Sequence, residues 1–312
     1  MGRRKKGRPV DGWLIIDKPL GVGSTEVVSR ARWALNARKA GHAGTLDPLA
    51  TGLLAVAFGE ATKTVPVASD GLKTYRFSVR WGIRTASDDA ETAPIATSDL
   101  RPDRAAIEAA LPAFRGDIMQ APPQFSAVKV DGERAYDLAR DGETMALAAR
   151  PLHMARLELA AMPDADHAEF EMVCGKGGYV RSIARDLGEA LGCGAHVSAL
   201  RRTAAGPFDV SEAAVPYETL ESYRDRPEAL PLLPVSAGLR ELPEVRVGAL
   251  AAADLRMGRE GAATHAPADL AWGDPAWASC AGEAVAIGTW AGGRLKPNRV
   301  ILPPEVGADP TG

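Results

Sequence analysis

Three cysteines are all that the 312 residues contain, Cys174, Cys193 and Cys280. Their number is odd and no two have the close spacing of a zinc site or a dithiol motif, which excludes a disulfide framework and thioredoxin-type chemistry. They are expected to be small buried hydrophobes in a cytoplasmic protein. Long apolar runs are missing too. None approaches the roughly eighteen residues of a membrane span, and the N-terminus lacks the hydrophobic core of a secretory signal, so no membrane association is expected. Neither sign of charge dominates, because 37 Lys and Arg stand against 40 Asp and Glu for a net charge of −3. Gly21-Val22-Gly23-Ser24-Thr25 lacks the third glycine of a dinucleotide loop and the lysine of a P-loop. Internal repeats are absent.

What is present suits a soluble globular protein with one large domain and a small one, with 46% hydrophobic and 25% charged residues. The charge is unevenly spread. Arg3, Arg4, Lys5, Lys6 and Arg8 form a basic tail, Arg30, Arg32, Arg38 and Lys39 a second cluster, and Lys176, Arg181, Arg185, Arg201 and Arg202 a third. Such clusters predict a basic strip that an anionic partner could meet. Trp13 to Ile16 reads as a buried strand, Ser24 to Asn36 as an N-capped helix and Leu53 to Phe58 as a buried strand. Residues 75–81 alternate at period two, which predicts a half-buried strand. Arg104 to Phe114 and Arg181 to Leu191 read as helices, the second ended by Gly192 and Gly194, and Leu157 to Leu159 and Glu169 to Cys174 as strands. Interleaving without a βαβ rhythm predicts an α+β fold. Pro227, Pro231 and Pro234 mark a linker, followed by strand candidates at Val245 to Val247, Glu283 to Ile287 and Arg299 to Leu302.

One segment concentrates the chemistry. Gly41-His42-Ala43-Gly44-Thr45-Leu46-Asp47-Pro48-Leu49-Ala50-Thr51-Gly52 sets a single carboxylate among turn formers and then runs into an apolar element. Pro48 biases Asp47 away from helical dihedrals, and Gly41, Gly44 and Gly52 allow close backbone approach, so an ordered turn presents the side chain. An isolated Asp-Pro is most often a turn and nothing more. Read whole, this string resembles the active-site motif of the TruB family of pseudouridine synthases. Four further segments carry the likeness, which runs from about residue 11 to about 210: Asp11 to Gly21 with Ser24-Thr25, Lys73 to Arg76, Ala121 to Lys129 with Gly132, Arg134, Ala135 and Tyr136, and Lys176 to Gly188 with Gly192 to His196 and Leu200 to Arg202.

The resemblance implies a large mixed, mostly antiparallel sheet flanked by helices and a small C-terminal β, PUA-like domain. It divides the chain into a basic disordered tail (1–10), a catalytic domain (11–225) with an RNA-contacting insertion (121–152), a linker (226–242), the PUA-like domain (243–303) and a tail (304–312). It implies isomerisation of uridine to pseudouridine in the T-loop (position 55) of tRNA, with the base flipped out of the loop and no metal or organic cofactor. Asp47 is then the catalytic nucleophile, attacking ribose C1′ or abetting glycal formation. Arg181 is its ion-pair partner, Tyr75 stacks on the uracil and exchanges the C5 proton, and Tyr179 and Leu200 line the pocket. Lys18 and Pro19 shape its far wall, and His42 fills the space that the flipped base leaves. The partner is the tRNA T-stem-loop, with no obligate protein partner, and the protein is a monomer. The stretch Thr85 to Thr92 departs from the family pattern, because Asp89 matches but Thr92 replaces a glycine and Ala86 an acidic residue. Rival readings are a guide-RNA-dependent relative, which typically differs after Asp-Pro, and an inactive RNA-binding or RNA-folding protein, against which Asp47, Tyr75 and Arg181 argue.

Overall fold

The structure is a computed structural model that describes residues 7–126, 128–130, 132–140, 145–212 and 214–303. Residues 1–6 of the basic tail, Ala127 and the 304–312 tail lie outside the described residues. Arg8 pairs with Ala37 in a β-bridge. The chain begins β1 (Gly12–Lys18), α1 (Ser24–Ala34), β2 (Ala40–His42), β3 (Ala50–Phe58), α2 (Val65–Ala68), β4 (Lys73–Trp81), β5 (Ile83–Thr85), β6 (Pro94–Thr97), α3 (Arg104–Ala110) and β7 (Gly116–Gln120). It continues through β8 (Lys129–Val130), β9 (Glu133–Arg134), α4 (Ala135–Arg140), β10 (Arg150–Ala161), β11 (His167–Cys174), α5 (Val180–Ala190), β12 (Ala195–Ala205), β13 (Phe208–Asp209) and β14 (Val215–Pro216). The last elements are β15 (Glu244–Val247), α6 (Ala249–Arg256), β16 (Gly261–His265), β17 (Pro275–Cys280), β18 (Glu283–Trp290) and β19 (Arg294–Val300). This is the α+β architecture expected, a large mixed and mostly antiparallel sheet with helices and a small C-terminal β domain.

Two compact units divide the chain. One comprises the residues up to Leu46, Leu53–Gly71 and those from Gly206 on, and the other comprises Asp47–Gly52 and Leu72–Ala205. In the first unit β14, β1 and β3 are neighbours, with β2 antiparallel to β3. The run Trp13-Leu14-Ile15-Ile16 is buried throughout, as a continuous apolar strand covered on both faces should be. Trp13 also exchanges two main-chain hydrogen bonds with Leu233, each of 2.8 Å, so the proline-rich stretch after residue 225 is tied to β1. Strands β15, β16, β19, β18 and β17 close into a barrel around Val245, Leu255, Val285 and Leu295. A neighbouring cluster of Leu239, Trp277, Ala284 and Ile301 takes in Val67 and Val235.

The second unit carries the strand order β12, β4, β11, β10, β7, and residues 50–52 of β3 run parallel to β12. Alternation along β4 buries Tyr75, Phe77, Val79 and Trp81. These pack with Phe170, Met172, Ile183 and Leu187 in one core that lies between the sheet and α5. Phe77 and Phe170 stack at 5.4 Å between ring centroids.

Three expectations need correction. The helix at Ser24 has Gly23 as its N-cap and no side-chain cap; the Ser24 hydroxyl instead donates to Leu46 O and accepts from Leu46 N, both at 2.8 Å. A long-range pair of bonds thereby outcompetes local capping and fixes the residue before Asp47. The 104–114 helix tightens to a 3-10 turn at Leu111–Phe114, where Pro112 offers no backbone N–H. The basic strip loses two members to the interior, Arg181 and Arg202, and Arg30 pairs with Glu221, whereas Arg8, Arg32, Arg38, Lys39 and Lys176 stay exposed.

Candidate active site

Asp47 stands on a tight turn. Ala50 N donates to Asp47 O at 3.0 Å across Pro48, whose fixed φ suits the second position of such a turn. Gly44 and Gly52 have φ of +107° and +99°, whereas Gly41 has neither a positive φ nor a neighbour that a side chain would meet. At Gly52 the β12 backbone comes so close that a Cβ would lie 2.2 Å from Arg202 O. That contact seats the start of β3 on β12, with Leu200, Arg201 and Arg202 in register with Ala50, Thr51 and Gly52.

The Asp47 carboxylate is 40% exposed, yet Arg181 Nη2, on a side chain only 7% exposed, lies 2.8 Å from its Oδ2. Arg181 is placed by the first turn of α5, and its own surroundings are filled from the 85–92 loop. Nη1 donates to Ser87 O at 3.2 Å and Nε lies 3.7 Å from Asp89 Oδ2. Asp89 is in turn oriented by Ser87 Oγ at 2.5 Å and by Glu91 N at 3.0 Å. Thr92, where the family pattern has glycine, accepts from Ser87 N at 3.0 Å and so helps to close this loop. One buried guanidinium between two carboxylates keeps its charge compensated, which a buried arginine requires.

Tyr75 is buried on β4, its Cα opposite that of Arg202 on β12. Burial pushes its hydroxyl above the ordinary tyrosine range, and the Arg202 guanidinium, hydrogen-bonded to it, works in the opposite sense. The Asp47 charge raises it further. Leu200 lies on the same strand opposite Phe77 and packs against the core that holds Tyr75. Tyr179 precedes α5 and is clamped by Gln120, which accepts from Tyr179 N at 2.9 Å and donates to Tyr179 O at 3.1 Å. Beside it is a cavity of about 360 Å³ lined by Gln120, Arg150, Leu152, Lys176 and Tyr179. Asp47, Tyr75, Tyr179, Arg181 and Leu200 thus share one compact unit. His42, Lys18 and Pro19 belong to the other unit. There His42 pairs with Val56 across β2 and β3, and the fully buried Lys18 donates through Nζ to Pro19 O at 2.9 Å and Val22 O at 2.7 Å, closing the turn after β1.

The description "TruB family pseudouridylate synthase (N terminal domain)" fits residues 32–180, and "tRNA pseudouridylate synthase B C-terminal domain" fits residues 181–240. The chain belongs to the TruB family. The tRNA pseudouridine synthase B of Cereibacter sphaeroides (strain ATCC 17023) is 59% identical over 303 residues, 96% of this chain and 99% of that protein. The one of Agrobacterium fabrum is 50% identical over 314 residues, covering 96% and 97%. Among solved structures, "Crystal Structure of a Cbf5-Nop10-Gar1 Complex" matches with a TM-score of 0.75 at 25% identity, over 97% of this chain and 92% of that one. As a TruB-family pseudouridylate synthase the chain is an isomerase.

Two groups in this TruB-family site carried no role in the sequence reading. Arg202 stood among the basic residues and in the Leu200 to Arg202 segment without a role of its own; its signal is position, two residues after Leu200 and so on the same face of a strand. Asp88, at φ +60°, is the other. Its Oδ2 lies 3.1 Å from Arg185 Nη1, and Arg185 and Ser182 also donate to Ala121 O, at 2.9 and 2.7 Å. Burial raises the Asp88 carboxyl from 3.8 to about 6 despite Arg185 and Arg181. The folded state therefore holds this proton more tightly than the unfolded chain, and the stability that it confers below about pH 4 is lost as pH rises to about 6. Relative to Asp88→Asn, the wild type is expected to lose on the order of 3 kcal/mol between pH 4 and pH 7, read from urea unfolding of both proteins. Parallel pH profiles for the two would contradict this assignment.

Proposed function

We propose that the chain isomerises uridine to pseudouridine at the T-loop (position 55) of tRNA, with Asp47 as the nucleophile. The reaction breaks the N1–C1′ bond, turns the uracil, joins C5 to C1′ and exchanges the C5 proton for one on N1. An anionic group on the ribose face supports both the cleavage and the rejoining, whether it attacks C1′ or assists loss of the C2′ proton toward a glycal. The observation that carries the reading is an accessible Asp47 carboxylate held at 2.8 Å by a buried Arg181. The pair aims the carboxylate while leaving one face open to substrate.

Tyr75 meets the uracil and exchanges the C5 proton, and Tyr179 and Leu200 line the base pocket. His42 occupies the gap in the flipped loop, and Lys18 and Pro19 also meet the substrate RNA. The T-loop suits extrusion, since an unpaired or strained base costs only a few kcal/mol to remove from its stack. Residues 121–152 contact the tRNA. The enzyme works as a cytoplasmic monomer without an obligate protein partner, metal or organic cofactor.

Purified protein incubated alone with a tRNA transcript tritiated at uridine C5 is expected to release one equivalent of tritium per tRNA. A transcript with cytidine at the T-loop position is expected to release none. Equal release from both transcripts, or release that requires an added guide RNA or protein, would contradict the reading.

A further inference from the structure

We infer that Arg202 is a positioning residue for the isomerisation, its buried guanidinium fixing the Tyr75 phenol oxygen at the edge of the base site. The inference rests on the reading that Tyr75 meets the substrate uracil. Arg202 is 1% exposed and sits on a central strand, between residues 50–52 of β3 and β4. Burying a guanidinium there costs several kcal/mol unless its donors are matched, and its strand-face neighbours Leu200, Phe77 and Tyr75 would accept an aliphatic side chain at lower cost. The charge is therefore there for a polar group, and the hydroxyl of Tyr75, directly opposite in the ladder, is one such group.

Direction matters in this contact. A guanidinium only donates, so the phenol oxygen accepts from Arg202 and its own hydrogen must point elsewhere. Asp47 acts on the same phenol. Each of the two groups assigned to the chemistry is thus held by its own buried arginine, Asp47 by Arg181 and Tyr75 by Arg202. The ladder is irregular between Arg202 and Ala204, a local break in pairing of the kind found beside functional sites. The close approach of Gly52 to Arg202 O fixes the same residue from the other side.

The test compares wild type, Arg202→Gln, Arg202→Lys, Tyr75→Phe and the double variant Arg202→Gln/Tyr75→Phe for tRNA affinity and single-turnover pseudouridine formation. Arg202→Gln is expected to keep wild-type affinity and to lose about 10- to 100-fold in rate, the scale of one charge-assisted hydrogen bond. Arg202→Lys is expected to recover part of the loss, and it carries the same comparison if the glutamine variant does not fold. In the Tyr75→Phe background the Arg202→Gln loss is expected to shrink below about threefold, because the contact is already absent. An undiminished loss in that background, or weakened tRNA binding with an unchanged rate at saturation, would overturn the inference. A wild type inactive on the T-loop would overturn the proposed function itself.

Discussion

Replacing Asp47 with asparagine is expected to lower the single-turnover rate by at least about a thousandfold while tRNA binding stays within a few-fold of wild type. The amide keeps the shape of the side chain but neither attacks C1′ nor carries the charge that offsets the developing cation on the ribose. The fold should survive. Arg181 would keep a carboxylate partner in Asp89, 3.7 Å away, and an acceptor in Ser87 O, so that no buried charge is stranded. Tritium release from C5 measures the rate and filter binding measures the affinity. A variant within tenfold of the wild-type rate would remove Asp47 from the chemistry.

The largest effect on stability is expected at Gly52. Its φ of +99° is closed to side-chain-bearing residues, and an added Cβ would meet Arg202 O at 2.2 Å, a backbone atom that no rotamer change can move. Gly52→Ala is expected to cost about 3–5 kcal/mol, or to part residues 50–52 from β12 and displace Asp47 and Arg202 together. Gly41→Ala, in the same motif but with open space around its α-carbon, is the matched control and should cost less than about 1 kcal/mol. Denaturant midpoints of the two variants decide the matter. Similar losses at both positions would mean that the motif needs glycine for reasons other than this contact.

What the sequence made legible is local. The alternation of 75–81, the apolar run at Trp13 and the glycines after α5 each state a preference that the fold keeps. The turn that presents Asp47 was legible because turn formers crowd around it. Strand β12 was not, since its residues Ala195–Ala205 mix polar and apolar side chains, and it becomes a strand through partners on both edges that lie far away in sequence. Its buried Arg202 breaks the rule that charge faces water, and such exceptions gather at functional sites. The same distance effect misdirected the reading of Ser24, whose hydroxyl serves Leu46, 22 residues away, rather than its own helix. That Asp88 and Asp89 are buried was not legible either, because the arginines that pair with them, Arg185 and Arg181, come from α5, about a hundred residues away in sequence.

The most direct test maps pseudouridine by carbodiimide-dependent primer-extension stops on an unmodified tRNA transcript after incubation with wild type and with Asp47→Asn. A single new stop at the T-loop uridine with wild type, absent with the variant, is the predicted result. A stop elsewhere, no stop with wild type despite tight tRNA binding, or an equal stop with both proteins would contradict it.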